Sequence, residues 1–141
     1  MQDLTSLRAT VARLRLLGME RALALPTETL AAAYNGTGPE FLPRRIRQRL
    51  DALTRPFWPA VMVHDLEFTF SDGTRRSFLI ANQHLLWNCI ICANNAYQWN
   101  NWRRYALYIQ AYSMFRAVSH PKFGWTAWVQ AYNKTQNRKE K

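Results

Sequence analysis

The chain has 141 residues, 48% hydrophobic and 20% charged, so it is long enough for one domain with a core, and its composition excludes a disordered, collagen-like or coiled-coil protein. Nineteen Lys and Arg against nine Asp and Glu give a net charge of +10, which predicts an anionic partner. Two cysteines are too few for a disulfide scaffold, and no apolar run has the length of a membrane span or the form of a signal peptide.

Two helices are predicted at the N-terminus. Apolar residues at helical spacing predict a first helix over residues 2–24, which Gly18 interrupts or ends. The sequence TETLAAA predicts a second, short helix over residues 27–33. Residues 1–33 are therefore expected to form an N-terminal helical extension, which either packs on the core or serves as an interaction helix.

A loop and a basic helix are predicted next. Two glycines, an asparagine and a proline within residues 34–39 predict a loop. Helical periodicity returns over residues 40–53, where four arginines lie beside the apolar stripe: Arg44, Arg45, Arg47 and Arg49. These arginines form either a solvated face or an anion-binding cluster, because a guanidinium group binds phosphate with two parallel hydrogen bonds.

The middle of the chain combines an apolar segment with a long helix. Residues 57–68 are mostly apolar but contain His64 and Asp65. Thr74 is the predicted N-cap of a helix over about residues 75–95. One face of this helix carries Phe78, Asn82, Leu85 and Cys89.

The last third of the chain is rich in aromatic residues. Helical spacing predicts a helix over residues 102–118 with an apolar stripe formed by Trp102, Tyr105, Ile109, Tyr112 and Phe115. We expect this stripe to pack in the core, although aromatic side chains also stack on nucleic-acid bases. A short terminal helix and a polar, frayed tail over residues 134–141 are expected to complete the chain.

These elements predict a mainly α fold: a single-domain helical bundle with two long antiparallel helices and a core over residues 34–133. Cys89 and Cys92 lie one helical turn apart on the first long helix. We expect both to be buried packing residues, because no further cysteine supports a metal site.

His64 and Asp65 are the strongest candidates for chemistry. Adjacent residues on a helix point about 100° apart, so they serve two neighbouring sites rather than one hydrogen-bonded dyad. A carboxylate beside a loop with free backbone carbonyls suits Ca²⁺, and the histidine can take a proton from water if an acceptor orients its other nitrogen. The simpler alternatives are a core-edge histidine, an Asp65 paired with Arg44 or Arg45, and an ordinary turn at residues 34–39.

Several segments carry motifs in a fixed order. Residues 35–39 read NGTGP, residues 61–68 read VMVHDLEF, and residues 76–85 read RSFLIANQHL, followed by a GWTAW stretch at residues 124–128. Over residues 34–131 the chain resembles prophage-encoded proteins with a phospholipase A2-like core, which carry an N-G-C-G-P loop, a C-x-x-H-D-x-x-Y helix, an R-x-x-A-D-x-x-F helix and an aromatic G-x-x-x-W stretch.

The resemblance implies a role for each matching residue. His64 corresponds to the base that activates water for attack on an ester carbonyl, and Asn82 stands where an aspartate orients that base. Asp65 corresponds to the side-chain ligand of calcium. The matching calcium loop has backbone carbonyls around Gly36, Gly38 and Glu40. Four apolar residues are expected to line a substrate channel: Phe57, Trp58, Met62 and Phe68.

Four positions depart from the family pattern. Thr37 and Val61 replace two cysteines that are bonded in the family, which is consistent with a reducing cytosol. Phe68 replaces a tyrosine and lacks its hydroxyl group. Asn82 accepts a hydrogen bond but cannot stabilise an imidazolium, and the same change in serine proteases costs about 10⁴ in rate. The resemblance therefore implies a slow enzyme, or a protein that keeps the fold without the activity.

The leading hypothesis is a phage- or prophage-associated, calcium-dependent hydrolase of glycerophospholipid esters that its basic surface holds on anionic membrane. The alternative is a catalytically inactive phage structural or interaction protein that binds nucleic acid, membrane or an acidic phage or host protein. No helix-turn-helix or zinc-finger signature supports sequence-specific DNA binding. The expected location is the host-cell cytoplasm or the virion.

Overall fold

The computed structural model describes residues 3–34 and 54–139, with the side chains of residues 138 and 139 excepted. Within these ranges the protein is mainly α-helical and has no β-strand, which confirms the mainly α character of the predicted fold. The described helices are α1 Leu4–Leu14, α2 Glu20–Ala24, α3 Thr27–Ala33, α4 Trp58–Thr69, α5 Arg75–Ala96, α6 Trp102–Val118 and α7 Phe123–Lys139. A 3₁₀ turn, Arg55–Phe57, leads into α4, and no described helix is long and apolar enough to span a membrane.

Helix α4 lies at the centre of the molecule, in contact with α1, α2, α3, α5 and α7. Pro56 lies at the start of the 3₁₀ turn and Pro59 at the start of α4. The first N–H groups of a helix have no partner within the helix, so a proline there removes no helical hydrogen bond. Every side chain from Pro59 to His64 is buried. Burial of six consecutive residues covers every side of the first half of α4, which requires mostly apolar side chains around the helix there. The interior location of His64 follows from its place on α4.

The N-terminal helices belong to the same core as α4. Val11 of α1 is buried in one cluster with Met62 of α4. Leu16, just after the end of α1, belongs to the same cluster. Helix α1 ends earlier than the predicted break at Gly18, because Arg15 adopts a left-handed conformation with a φ of 51°. Of the two roles considered for the N-terminal segment, the structure shows the first: the segment packs on the core.

Helices α5 and α6 are joined by a short connection and pack against each other. The Thr74 hydroxyl caps α5 by accepting a hydrogen bond from Ser77 N at 3.2 Å. The Asn101 amide caps α6 by accepting one from Arg103 N at 3.0 Å. The predicted inward face of α5 is confirmed, since the following residues are all buried: Phe78, Asn82, Leu85 and Cys89.

The apolar stripe that we expected to bury α6 faces solvent, so that prediction is wrong. Four members of the stripe are exposed: Trp102, Tyr105, Ile109 and Tyr112. The buried side of α6 carries the smaller residues Leu107 and Ala111. Because α6 has apolar side chains on both sides, periodicity alone does not determine which side packs. Small side chains at the contact let two helices approach closely.

Helix α7 is longer than predicted. The segment 134–141, expected to be a frayed tail, is helical as far as Lys139. The Nδ1 atom of His120 accepts hydrogen bonds from two backbone amides at the start of α7. Gly124 lies against the end of α6, because a Cβ atom there would come within 1.9 Å of the Val118 carbonyl oxygen. A residue without a side chain therefore permits the tight junction between α6 and α7.

Candidate functional site

The structure brings His64 of α4 and Asn82 of α5 together. The imidazole Nε2 lies 3.0 Å from the amide Oδ1. Both side chains are buried, and that of His64 is 7% exposed. Since an amide oxygen only accepts hydrogen bonds, Nε2 carries the proton and Nδ1 keeps its lone pair. The predicted contact is present, whereas its catalytic role stays a prediction.

Burial determines the acid–base character of His64. Desolvation lowers the pKa of its imidazole from 6.5 to about 4, and the hydrogen bond with Asn82 opposes this shift only in part. The ring is therefore neutral at pH 7. Because Asn82 is uncharged, it cannot stabilise an imidazolium as a carboxylate would. His64 is consequently a weaker base than a histidine paired with aspartate.

An aromatic cluster packs against the imidazole. The ring centroid of Phe68 lies 4.7 Å from that of His64 and 4.6 Å from that of Trp128 on α7. Phe78 of α5 extends the cluster, with its centroid 5.7 Å from that of Trp128. Phe68 stands where the resemblance places a tyrosine, and it contributes ring packing in place of a hydroxyl group.

The predicted calcium ligands lie mostly outside the described residues. Asp65 is half-buried and follows His64 on α4. The backbone ligands implied by the resemblance belong to residues that the structure does not describe: Gly36, Gly38 and Glu40. In the described part of the chain, no three His, Cys, Asp or Glu side chains come together as a metal site. Among the predicted ligands, the position of Asp65 alone is described.

Two of the four predicted channel residues belong to the core. Phe57 and Met62 have no exposed surface, so they line no solvent-accessible channel and this part of the prediction is wrong. Both belong to the main core cluster, where they are buried together with Leu85 of α5. Trp58 is half-buried beneath the Arg55 guanidinium, and Phe68 contacts His64. A surface cavity of about 280 Å³ includes none of these four channel residues; its lining is Arg21, Leu25, Phe70, Ser71, Thr135 and Gln136.

The other predicted groups are the arginine cluster and the cysteines. The four arginines expected to bind anions lie outside the described residues: Arg44, Arg45, Arg47 and Arg49. Cys89 and Cys92 are free and buried, as predicted. Burial raises the pKa of both thiols, to about 11 for Cys92, so neither is a thiolate at neutral pH.

Sequence reasoning does not anticipate a second polar pair between α4 and α5. The Oε1 atom of Glu67 lies 2.6 Å from Nδ1 of His84. Burial raises the pKa of Glu67, and its hydrogen bond with His84 opposes that rise. Gly18 lies over this pair, since a Cβ atom there would come within 2.5 Å of Glu67 Oε1. No local pattern in the sequence signals this pair, because Glu67 and His84 meet only through the packing of α4 against α5.

The whole chain was compared with protein families, with curated proteins and with solved structures. No protein-family model, no curated protein and no solved structure matches the chain.

Proposed function

We propose that this protein is a phospholipase A2-like hydrolase of lipid esters that works slowly, with His64 as its general base. The observation that carries the proposal is the 3.0 Å hydrogen bond between His64 Nε2 and Asn82 Oδ1. The motif resemblance assigns this acceptor to the position of Asn82, and the two helices meet there. A phage origin and a core with α5 antiparallel to α6 are parts of the same proposal.

The chemistry follows from the tautomer of His64. Nε2–H donates to Asn82, which leaves the Nδ1 lone pair to take a proton from water. As that proton moves to Nδ1, the water oxygen attacks the ester carbonyl carbon. The proton then passes to the departing alkoxide, so the products are a fatty acid and a lysolipid. Asp65 would hold Ca²⁺, which would supply an electrophile to polarise the ester carbonyl.

Two properties of the site limit the rate. The desolvated imidazole has a pKa of about 4, so it accepts a proton less readily than a base whose pKa is near 7. The neutral Asn82 side chain gives no electrostatic stabilisation to the imidazolium that forms. By analogy with serine proteases, the lost carboxylate costs about 10⁴ in rate.

The test is fatty-acid release from mixed phosphatidylcholine–phosphatidylglycerol micelles, measured with Ca²⁺ and with a chelator. We expect His64→Gln to reduce hydrolysis to background. We expect Asn82→Asp to raise it by at least about tenfold, because a carboxylate stabilises the imidazolium. His120→Asn is the matched control, since His120 is exposed and asparagine also caps a helix. Equal rates for wild type and His64→Gln would overturn the proposal.

A binding protein without catalysis is the second candidate. The burial of His64, with 7% of the side chain exposed, favours it because substrate water has little access to the ring. The net charge of +10 favours an anionic partner such as nucleic acid, membrane or an acidic protein. A wild-type protein that hydrolyses no lipid with Ca²⁺ present would favour this second candidate.

A further inference from the structure

The outward side of α6 is an unusually apolar surface. We call Trp99, Trp102, Tyr105, Ile109 and Tyr112 the aromatic face. Trp102 and Ile109 are 72% and 71% exposed. The Tyr105 hydroxyl donates a hydrogen bond to the Trp99 carbonyl at 3.0 Å, which ties Trp99 to the helix. Contiguous apolar patches are uncommon on monomeric proteins and mark interaction sites.

The aromatic face is separate from the contact of α6 with the core. The packed side of α6 is formed by Leu107 and Ala111, so burial of this helix does not require the large side chains. Trp102, Tyr105, Ile109 and Tyr112 recur at intervals of three and four residues, as residues on one side of a helix do. From Trp102 to Tyr112 this row extends over about 15 Å.

The chain segment that carries the aromatic face has charge of one sign. Residues 73–139, which contain α5, α6 and α7, include no Asp or Glu. The same segment has nine basic residues: Arg75, Arg76, Arg103, Arg104, Arg116, Lys122, Lys134, Arg138 and Lys139. The Arg103 guanidinium lies 6.0 Å above the ring of Trp102, and Arg116 is exposed one helical turn beyond Tyr112. An anionic partner therefore meets cations and no carboxylate on this part of the chain.

We propose that the aromatic face docks on the surface of an anionic lipid bilayer. Trp and Tyr are the residues enriched at membrane–water interfaces, where the ring is buried and the polar tip stays hydrated. Ile109, in the middle of the face, has no π-system to stack on a nucleic-acid base, but its aliphatic side chain enters the acyl boundary. Arg103 and Arg116 then contact lipid phosphate groups.

This docking surface does not depend on hydrolysis, since a protein with an inactive His64 site binds a bilayer through α6 in the same way. The test therefore measures binding alone. Phosphatidylcholine vesicles with and without phosphatidylglycerol are mixed with the full-length chain, and bound protein is measured by flotation. Ile109→Asn and Trp102→Ser are each compared with Leu23→Asn, which changes an exposed leucine on α2.

We expect wild type and Leu23→Asn to bind vesicles that contain phosphatidylglycerol. Each substitution on the aromatic face weakens that binding about tenfold, because a large apolar side chain no longer leaves water. Far-UV circular dichroism and the thermal midpoint check that the exposed substitutions leave the fold intact.

Three results would overturn the proposal. The first is a failure of the expected loss, either because the wild type does not bind vesicles or because Ile109→Asn and Trp102→Ser leave its binding unchanged. The second is a wild-type dimer, seen by light scattering, that these substitutions convert to monomer without vesicle binding, because a second copy then covers the face. The third is tighter binding to single-stranded oligodeoxythymidine than to vesicles, lost in the same variants.

Discussion

His64 and Glu67 lie one turn apart on α4, and each buries an ionisable group between α4 and α5. Desolvation acts on them in opposite directions, because it lowers the pKa of the imidazole and raises that of the carboxyl group. Desolvation therefore favours the neutral imidazole of His64 and the neutral carboxyl group of Glu67 over their charged forms. Stability in the acidic range should therefore depend on pH, with contributions of opposite sign from the two residues.

The contribution of His64 can be isolated by substitution. In the unfolded chain its imidazole takes up a proton near pH 6.5, but in the folded protein only near pH 4, so protonation favours unfolding between these values. The free energy of unfolding should thus rise by about 3 kcal/mol as pH rises through this window, with the gain fully present above pH 6.5 and lost on approach to pH 4.

Urea denaturation of wild type and His64→Gln at several pH values measures this effect. The contribution of Glu67, whose raised pKa makes stability fall with rising pH, is common to both proteins. The difference between the two curves therefore reports His64. If the free energies of unfolding of the two proteins changed in parallel between pH 4 and pH 6.5, the lowered pKa of His64 would be contradicted.

At the scale of elements, one side chain fastens the connection between α1 and α2 to α5. Asn88 is completely buried. Its Oδ1 atom accepts a hydrogen bond from Leu17 N at 2.8 Å, and its Nδ2 atom donates one to Leu17 O at 2.9 Å. A single amide thus satisfies both backbone groups of a residue outside any helix.

We expect Asn88→Ala to lower the free energy of unfolding by about 2 kcal/mol, since both Leu17 groups lose their partner and a cavity remains. The matched control is Asn95→Ala on the same helix. The Asn95 side chain also reaches the N-terminal region, accepting a hydrogen bond from Arg13 at 3.0 Å, but it is exposed. Chemical denaturation should show a change in the free energy of unfolding below about 0.5 kcal/mol for this control. Equal decreases for both variants would be inconsistent with a specific stabilising role of the hydrogen bonds between Asn88 and Leu17.

At the scale of the whole molecule, one core cluster connects the N-terminal helices to the long ones. Val11 and Leu16 are buried together with Met62 of α4, Cys89 of α5 and Ala111 of α6. A single domain of this size usually unfolds in one cooperative step. The N-terminal helices should therefore unfold together with the rest of the described core.

Tryptophan fluorescence tests this cooperativity, because all six tryptophans lie between residues 58 and 128, outside the N-terminal segment. We expect Leu16→Ala to lower the free energy of unfolding detected by fluorescence by about 3 kcal/mol, since Leu16 is 1% exposed. Leu23→Ala, at an exposed position of α2, should change it little. If Leu16→Ala did not change the free energy of unfolding detected by fluorescence, the N-terminal helices would unfold independently of the rest.

Features determined by neighbouring residues could be read from the sequence alone. Thr74 and Asn101 indicate where α5 and α6 begin, because capping involves an amide only two or three residues further along. The inward face of α5 was likewise predicted from the helical spacing of Phe78, Leu85 and Cys89, although Ile80 and Trp87 on the other side of the helix are exposed. The His64–Asn82 contact was predictable through the motif resemblance, which supplies the pairing of two helices that spacing by itself does not contain.

Only the tertiary structure decided features that depend on contacts distant in the chain. It showed that α6 turns Leu107 and Ala111 inward and leaves Trp102 outside, although both sides are apolar. It also placed Glu67 beside His84 and enclosed Met62 in the core. The physical reason is that periodicity identifies the sides of a helix, whereas the shape and closeness of the neighbouring helix select the side that packs.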